Sequence, residues 1–173
     1  FSQDENQVSI ALENCELSTK LLIAADGANS KVRQLANIGI TGWDYQQACM
    51  LINVKTELPQ QDITWQQFTP TGPMAFLPMP GNHASLVWYH QKEQITQLAQ
   101  LSNGQLQQKI HENFPKRLDQ VEVLDKGSFP LTRRHANNYY HNRVVLLGDA
   151  AHTINPLAGQ GVNLGFKDVK ALQ

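Results

Sequence analysis

Between Val8 and Leu12 apolar and polar residues alternate, and the segment 17–25 then reads as an apolar run that ends at Asp26-Gly27. Alternation with period two predicts half-buried strands, and an apolar run closed by a turn signal predicts a buried one. Over residues 30–38 the apolar positions Val32, Leu35 and Ala36 fall at helical spacing, with Ser30 standing as the N-cap. The order is a strand pair, a buried strand, a sharp turn and a short helix.

The pattern changes over residues 48–129. Segments 49–54, 63–68, 74–77 and 85–89 are short and rich in β-branched and aromatic residues, with turn signals at Pro70-Thr71-Gly72 and Pro80-Gly81-Asn82. They predict an antiparallel sheet. Ile95, Leu98, Leu101, Leu106, Ile110 and Phe114 then recur at helical spacing, interrupted at Asn103-Gly104, so two helices are expected to cross one face of that sheet. Aromatic residues on the strands (Trp65, Phe68, Phe76, Trp88, Tyr89) are expected to pack in the core or on a sheet face.

Near the end, the buried-strand run 143–147 meets Gly148-Asp149, and from about Gly159 the spacing becomes helical. Two strand-turn-helix units thus bracket a sheet-rich middle. The expected fold is α/β with an α+β part: a Rossmann-like nucleotide-binding domain over 1–42 and 141–173, interrupted at 43–140 by a mixed or antiparallel sheet domain.

Composition narrows the partners. Fourteen basic and fifteen acidic residues give a net charge of -1 with no long run of either sign, which offers no electrostatic footprint for nucleic acid. Cys15 and Cys49 form no C-x-x-C pair, and neither a signal peptide nor a long apolar span is visible, so a reduced, cytoplasmic, metal-free protein is expected. The chain opens on Phe1 without an initiator Met and stops at Gln173 inside an amphipathic pattern; it is expected to continue on both sides.

The run 148–163 carries the strongest chemistry. A carboxylate at the end of a strand (Asp149, after Gly148) can accept hydrogen bonds from hydroxyls of a ligand. Gly159 and Gly161 let the backbone approach a flat group, and helix N-terminal N–H groups favour negative charge. The plainer alternative is an Asp-capped helix with glycines chosen for packing, although a cap rarely needs so many specified residues. Asp26-Gly27 after a strand could be an ordinary turn. Arg33 could bring positive charge to a nucleotide or be a solvated helix residue. His152 is expected in a packing or hydrogen-bonding role, and Arg133 and Arg134 as an exposed pair at a strand end.

These residues carry a resemblance. The run 148–163 is similar to the second FAD fingerprint of the flavoprotein aromatic hydroxylases, and 24–33 resembles that family's Asp-Gly motif. The segments 65–70, 72–78, 85–89 and 129–136 resemble the substrate domain of the ubiquinone-biosynthesis members, most of all those acting on a methyl- and methoxy-substituted octaprenyl benzoquinol. The resemblance implies that Asp149 holds the ribityl chain and that Pro156 lies near the isoalloxazine ring. It also implies that the backbone at Gly161, Val162 and Asn163 contacts the flavin, and that Asp26 and Gly27 serve the phosphates. The implied protein is an FAD-dependent monooxygenase using NADPH or NADH, with molecular oxygen and a prenylated benzoquinol as substrates, and no catalytic side chain beyond the cofactor-binding set. It would work with other ubiquinone-biosynthesis proteins, at the periphery of the inner membrane, where the prenyl tail resides. A sibling hydroxylase of other position specificity, a flavin-dependent reductase of prenyl groups, and an inactive piece that acts only as a binding module remain as alternatives. No G-x-G-x-x-G follows a strand in this sequence, so the chain alone is expected not to retain FAD.

Overall fold

Strand follows strand through most of the chain: β1 (Ser2–Gln3), β2 (Val8–Ala11), β3 (Glu16–Thr19) and β4 (Leu22–Ala24) precede the short helix α1 (Lys31–Leu35). The long strand β5 (Ile40–Thr56) leads to β6 (Trp65–Thr69), β7 (Gly72–Met79) and β8 (His83–Gln91), then to helices α2 (Lys92–Gln100) and α3 (Asn103–Asn113). A second long strand, β9 (Val121–Ala136), is followed by β10 (Tyr140–His141), β11 (Val144–Leu146), β12 (His152–Thr153) and helix α4 (Gly161–Leu172). The structure is a computed structural model and describes residues 1–57, 63–156 and 159–173. The chain divides into two units, Phe1–Asp44 with Thr132–Gln173, and Tyr45–Leu131.

In the Tyr45–Leu131 unit the strands lie side by side in the order β9, β5, β8, β7, β6, with antiparallel pairing such as Met50 with Trp88, Trp88 with Met74, and Phe76 with Trp65. One sheet face (Met50, Ile52, Val54, Leu86, Trp88) packs with Ile95 and Leu98 of α2 and Leu106 and Ile110 of α3 in a single buried cluster. Trp65 stacks on Phe76 at 5.6 Å, and Phe114 meets Trp88 edge-on at 5.2 Å, geometries favoured by the ring quadrupole. Phe68 departs from the expected packing: it is 71% exposed, because from Trp65 an odd step along a strand turns a side chain to the other face. Tyr89 is buried with Cys49 and Leu131 in a separate small cluster. Burial pushes the Cys49 thiol up to about 12, and burial, then the neighbouring Cys49, pushes the Tyr89 phenol up to about 12.

The helix pair is interrupted one step earlier than the spacing suggests. Leu101 and Ser102 separate α2 from α3, and Asn103-Gly104 are already helical. The cause is a capping box: the Ser102 hydroxyl accepts from the Gln105 N–H, while the Gln105 side chain accepts from the Ser102 N–H. Two orphan N–H groups are satisfied there, which outweighs the poor helix propensity of Gly104.

In the other unit, β1, β2 and β3 form an antiparallel sheet. The run 17–25 is not one buried strand. It breaks at Lys20-Leu21 into β3 and β4, and Leu17, Leu21 and Ile23 are exposed. A second sheet has the order β10, β11, β4. Its β11 and β4 run parallel, with Val144 beside Leu22, Val145 beside Ile23 and Leu146 beside Ala24. Ala24, Ala36, Ile38, Ala136, Val144, Leu146 and Ala151 form the core of this unit. No described helix is long and apolar enough to cross a membrane.

Candidate cofactor site

Parallel pairing of β4 with β11 is what brings the two sequence motifs together. Because Ala24 and Leu146 are level, and the Leu147 N–H donates to the Ala24 carbonyl at 2.9 Å, both strands end at the same edge of the sheet. Asp26-Gly27 leaves one and Gly148-Asp149 leaves the other. Ligands of parallel α/β sheets bind outside the carboxyl ends of the strands. Both turns require a left-handed backbone, with φ of 83° at Gly27 and 57° at Gly148, which glycine adopts without steric cost.

A cavity of about 420 Å³ opens at that edge, lined by Ala25, Gly27, Leu147, Gly148, Asp149, Gly161, Val162, Gly165, Phe166 and Val169. Its size lies within the range of small-molecule sites. Gly27, Gly148 and Gly161 present bare backbone there: a Cβ added at any of them would meet nothing within 4 Å. Asp149 is exposed and makes no hydrogen bond with another described residue, so its oxygens are available to hydroxyl donors. Helix α4 begins at the cavity with no side-chain cap at Gln160 and no acidic residue in its first turn. Among the described residues no side chain caps its first N–H groups, so these and the positive end of its dipole can face an electron-rich ligand. Phe166 and Val169 add an apolar wall. A free carboxylate, an uncapped helix start and an apolar side together suit a ligand that joins a polyol to a flat aromatic ring.

The remaining motif residues have other surroundings. Asp26 is exposed and accepts from the Val32 N–H at 3.2 Å, at the start of α1. Its partial burial opposes ionisation, but hydrogen bonds from Ser30 and from the N–H groups of Val32, Asp26 itself and Lys31 outweigh it, holding the carboxyl below its usual range. Ser30 caps α1 as expected, accepting from the Arg33 N–H at 2.9 Å. Arg33 is not a solvated helix residue. It is 5% exposed, and its Nη1 donates to the carbonyls of Ala28 at 3.1 Å and Ala150 at 3.0 Å. A guanidinium in that position fastens one turn to the other, since its several donors can serve two loops at once. Pro156 is half-buried, its carbonyl accepting from the Gly159 N–H at 2.9 Å. Gly159 and Asn163 are exposed. Leu157 and Ala158 of the motif lie outside the described residues.

His152 is buried as a hydrogen-bonding residue, its Nε2 2.7 Å from Asp168 Oδ2. Tyr139 lies near it with ring centroids 6.0 Å apart; burial, then the Asp168 charge, raises the Tyr139 phenol above its usual value. Arg133 lies over the Trp43 ring at 4.8 Å, and Arg134 approaches Asp44 at 3.8 Å. Sequence reasoning missed Gly165, Phe166, Val169 and Asp168. For the first three the signal was present, since from Val162 steps of three, four and seven residues mark one helical face.

Comparison with known proteins bears on this geometry. The sequence pattern of the family described as "FAD binding domain" matches residues 2–173. The chain is 58% identical over 156 residues to the 3-demethoxyubiquinol 3-hydroxylase of Escherichia coli (strain K12), covering 90% of this chain and 40% of that protein. It is 35% identical over 191 residues to the mitochondrial ubiquinone biosynthesis monooxygenase COQ6 of Xenopus tropicalis, covering 90% and 41%. The chain thus spans about two fifths of the length of these curated relatives. Among solved structures it is similar in fold to aklavinone-11 hydroxylase in its ternary complex with FAD and aklavinone, with a TM-score of 0.76, 20% identity, and coverage of 96% of this chain and 32% of that one.

Proposed function

From the premise that the chain belongs to the FAD binding domain family, we propose that it supplies the ribityl- and ring-binding half of an FAD site in a longer monooxygenase that hydroxylates a prenylated benzoquinol. The observation that carries this reading is the cavity where Gly27, Gly148-Asp149 and the open start of α4 meet. The 58% identity to a 3-demethoxyubiquinol 3-hydroxylase supports the substrate class, and within it 2-octaprenyl-3-methyl-6-methoxy-1,4-benzoquinol is the proposed substrate.

FAD held there would supply redox chemistry that no side chain has, with NADPH or NADH as reductant and molecular oxygen as co-substrate. The chain's part is to bind, orient and exclude water. Asp149 accepts hydrogen bonds from the ribityl hydroxyls. The N–H groups of Gly161, Val162 and Asn163, at the start of α4, would hold the flavin and would favour negative charge on it. Pro156 borders the ring and Gly159 lets the preceding loop turn. Asp26 and Gly27 shape the loop beside the phosphates, and Arg33 holds that loop to the Gly148–Ala150 turn. Phe166 and Val169 keep water from the apolar side of the cavity. Residues 43–140 form the substrate-binding part. Contact with the membrane surface brings the enzyme to its prenylated substrate.

The test is Asp149→Ala in the full-length protein. Loss of charge-assisted hydrogen bonds, each worth about 1.5–3 kcal/mol, lowers FAD affinity roughly tenfold to a hundredfold while far-UV circular dichroism stays unchanged. Undiminished flavin absorbance after dialysis counts against the assignment. Turnover of synthetic prenylated quinols by the unmodified enzyme, followed by mass spectrometry, decides which ring position gains oxygen.

A further inference from the structure

A buried histidine and a half-buried aspartate stand together behind the Gly148-Asp149 turn, apart from the residues assigned to the ligand. Asp168 lies in the middle of α4, and its Oδ2 accepts two hydrogen bonds, from the Gly148 N–H at 2.8 Å and from His152 Nε2 at 2.7 Å. Aspartate is a poor residue for a helix interior, so its presence there calls for a reason outside the helix. Gly148 is the left-handed residue that opens the turn carrying Asp149. The same helix approaches the same turn at Gly165, where a Cβ would lie 3.4 Å from the Gly148 Cα. Helix and turn are therefore joined by close backbone approach and by one shared carboxylate oxygen.

The sharing fixes which imidazole nitrogen donates. Asp168 offers lone pairs to both neighbours, so Nε2 must carry a hydrogen. Nδ1 is buried and has no partner among the described residues, and the bond to Asp168 is the polar contact that orients the ring.

We infer that Asp168 and His152 are positioning residues for the cofactor: together they clamp the Gly148–Ala150 turn onto α4. Asp149 and the N–H groups at the start of α4 then keep one mutual geometry across the cavity. The inference rests on the reading of that cavity as the FAD site. Neither residue lines the cavity, and both act through the backbone they hold.

The test uses the full-length apoprotein titrated with FAD by fluorescence, together with visible circular dichroism of the bound flavin, which reports its asymmetric surroundings. Asp168→Ala and His152→Ala each weaken FAD binding about tenfold and alter that spectrum. The double variant is no weaker than Asp168→Ala, because the two act as one unit. His152→Gln, whose amide can donate to the same oxygen, recovers most of the affinity. Asp168→Asn preserves shape, removes the charge and falls between, which keeps the test open should the alanine variants not fold. Asp149→Ala serves as the control. If it lowers affinity while Asp168→Asn and Asp168→Ala leave affinity and spectrum unchanged, the clamp is overturned and the FAD reading stands. If Asp149→Ala itself has no effect, the FAD reading falls. Additive losses, or a loss without spectral change that His152→Gln does not rescue, overturn the clamp in favour of a purely structural role.

Discussion

Helices α3 and α4 are nearly equal in length, 11 and 12 residues, yet they use their apolar residues and their N-termini in opposite ways. In α3, Leu106 and Ile110 are completely buried and the first turn is closed by the Ser102–Gln105 capping box. In α4 no residue is buried, Val162 and Phe166 are 66% and 68% exposed, and no side chain caps the start. The sequence of α3 is satisfied by its own unit. That of α4 is arranged around a cavity, with open N–H groups at one end, an apolar stripe along one side and Asp168 anchoring the middle.

The comparison makes predictions of decreasing size. Ile110→Ala should destabilise the Tyr45–Leu131 unit by about 2–5 kcal/mol, since it leaves a cavity in a packed core. Phe166→Ala should change the stability of this chain by about 0.5 kcal/mol or less, as expected for an exposed site. Urea unfolding measures both, and equal losses would break the contrast. Next in size are the two N-termini. Ser102→Ala removes a working cap and should cost about 1 kcal/mol. Asn163→Asp adds charge at an open helix start and should stabilise the apoprotein by about 0.3–1 kcal/mol while weakening FAD binding. Tighter FAD binding by that variant would contradict an electron-rich group at the start of α4.

The smallest effect belongs to Asp26. Its folded-state pKa lies below 3.8, so its contribution to stability is present above that value and disappears as pH falls through the folded-state pKa. Asp26→Asn should be less stable than the unmodified chain at neutral pH, with the difference closing in acid below pH 3.8. Thermal unfolding at a series of pH values checks the sign.

What the sequence disclosed follows the same division. Turn chemistry is local, so Asp26-Gly27, Gly148-Asp149 and the Ser30 cap could be read directly from the chain. The periodicities of α2, α3 and the middle strands were also legible, because their apolar positions repeat often enough to define a face. The segment 17–25 misled because apolar content does not reveal a break at Lys20-Leu21, and Leu17 and Ile23 are apolar without being buried. Arg33 and Asp168 were opaque for a different reason. Their partners, Ala150 for one and Gly148 with His152 for the other, are fixed by tertiary contacts that no spacing rule within one helix can supply.

The pairing of β4 with β11 also sets an order of events in folding. Hairpins such as β7–β8 and the α2–α3 pair join residues close in sequence, and their loops close at little entropic cost. Leu22 finds Val144 only after the entire intervening segment has been synthesised and drawn in. During vectorial synthesis the Asp26-Gly27 turn emerges long before its Gly148-Asp149 counterpart. The cavity between the two turns therefore cannot form until that long-range closure is complete.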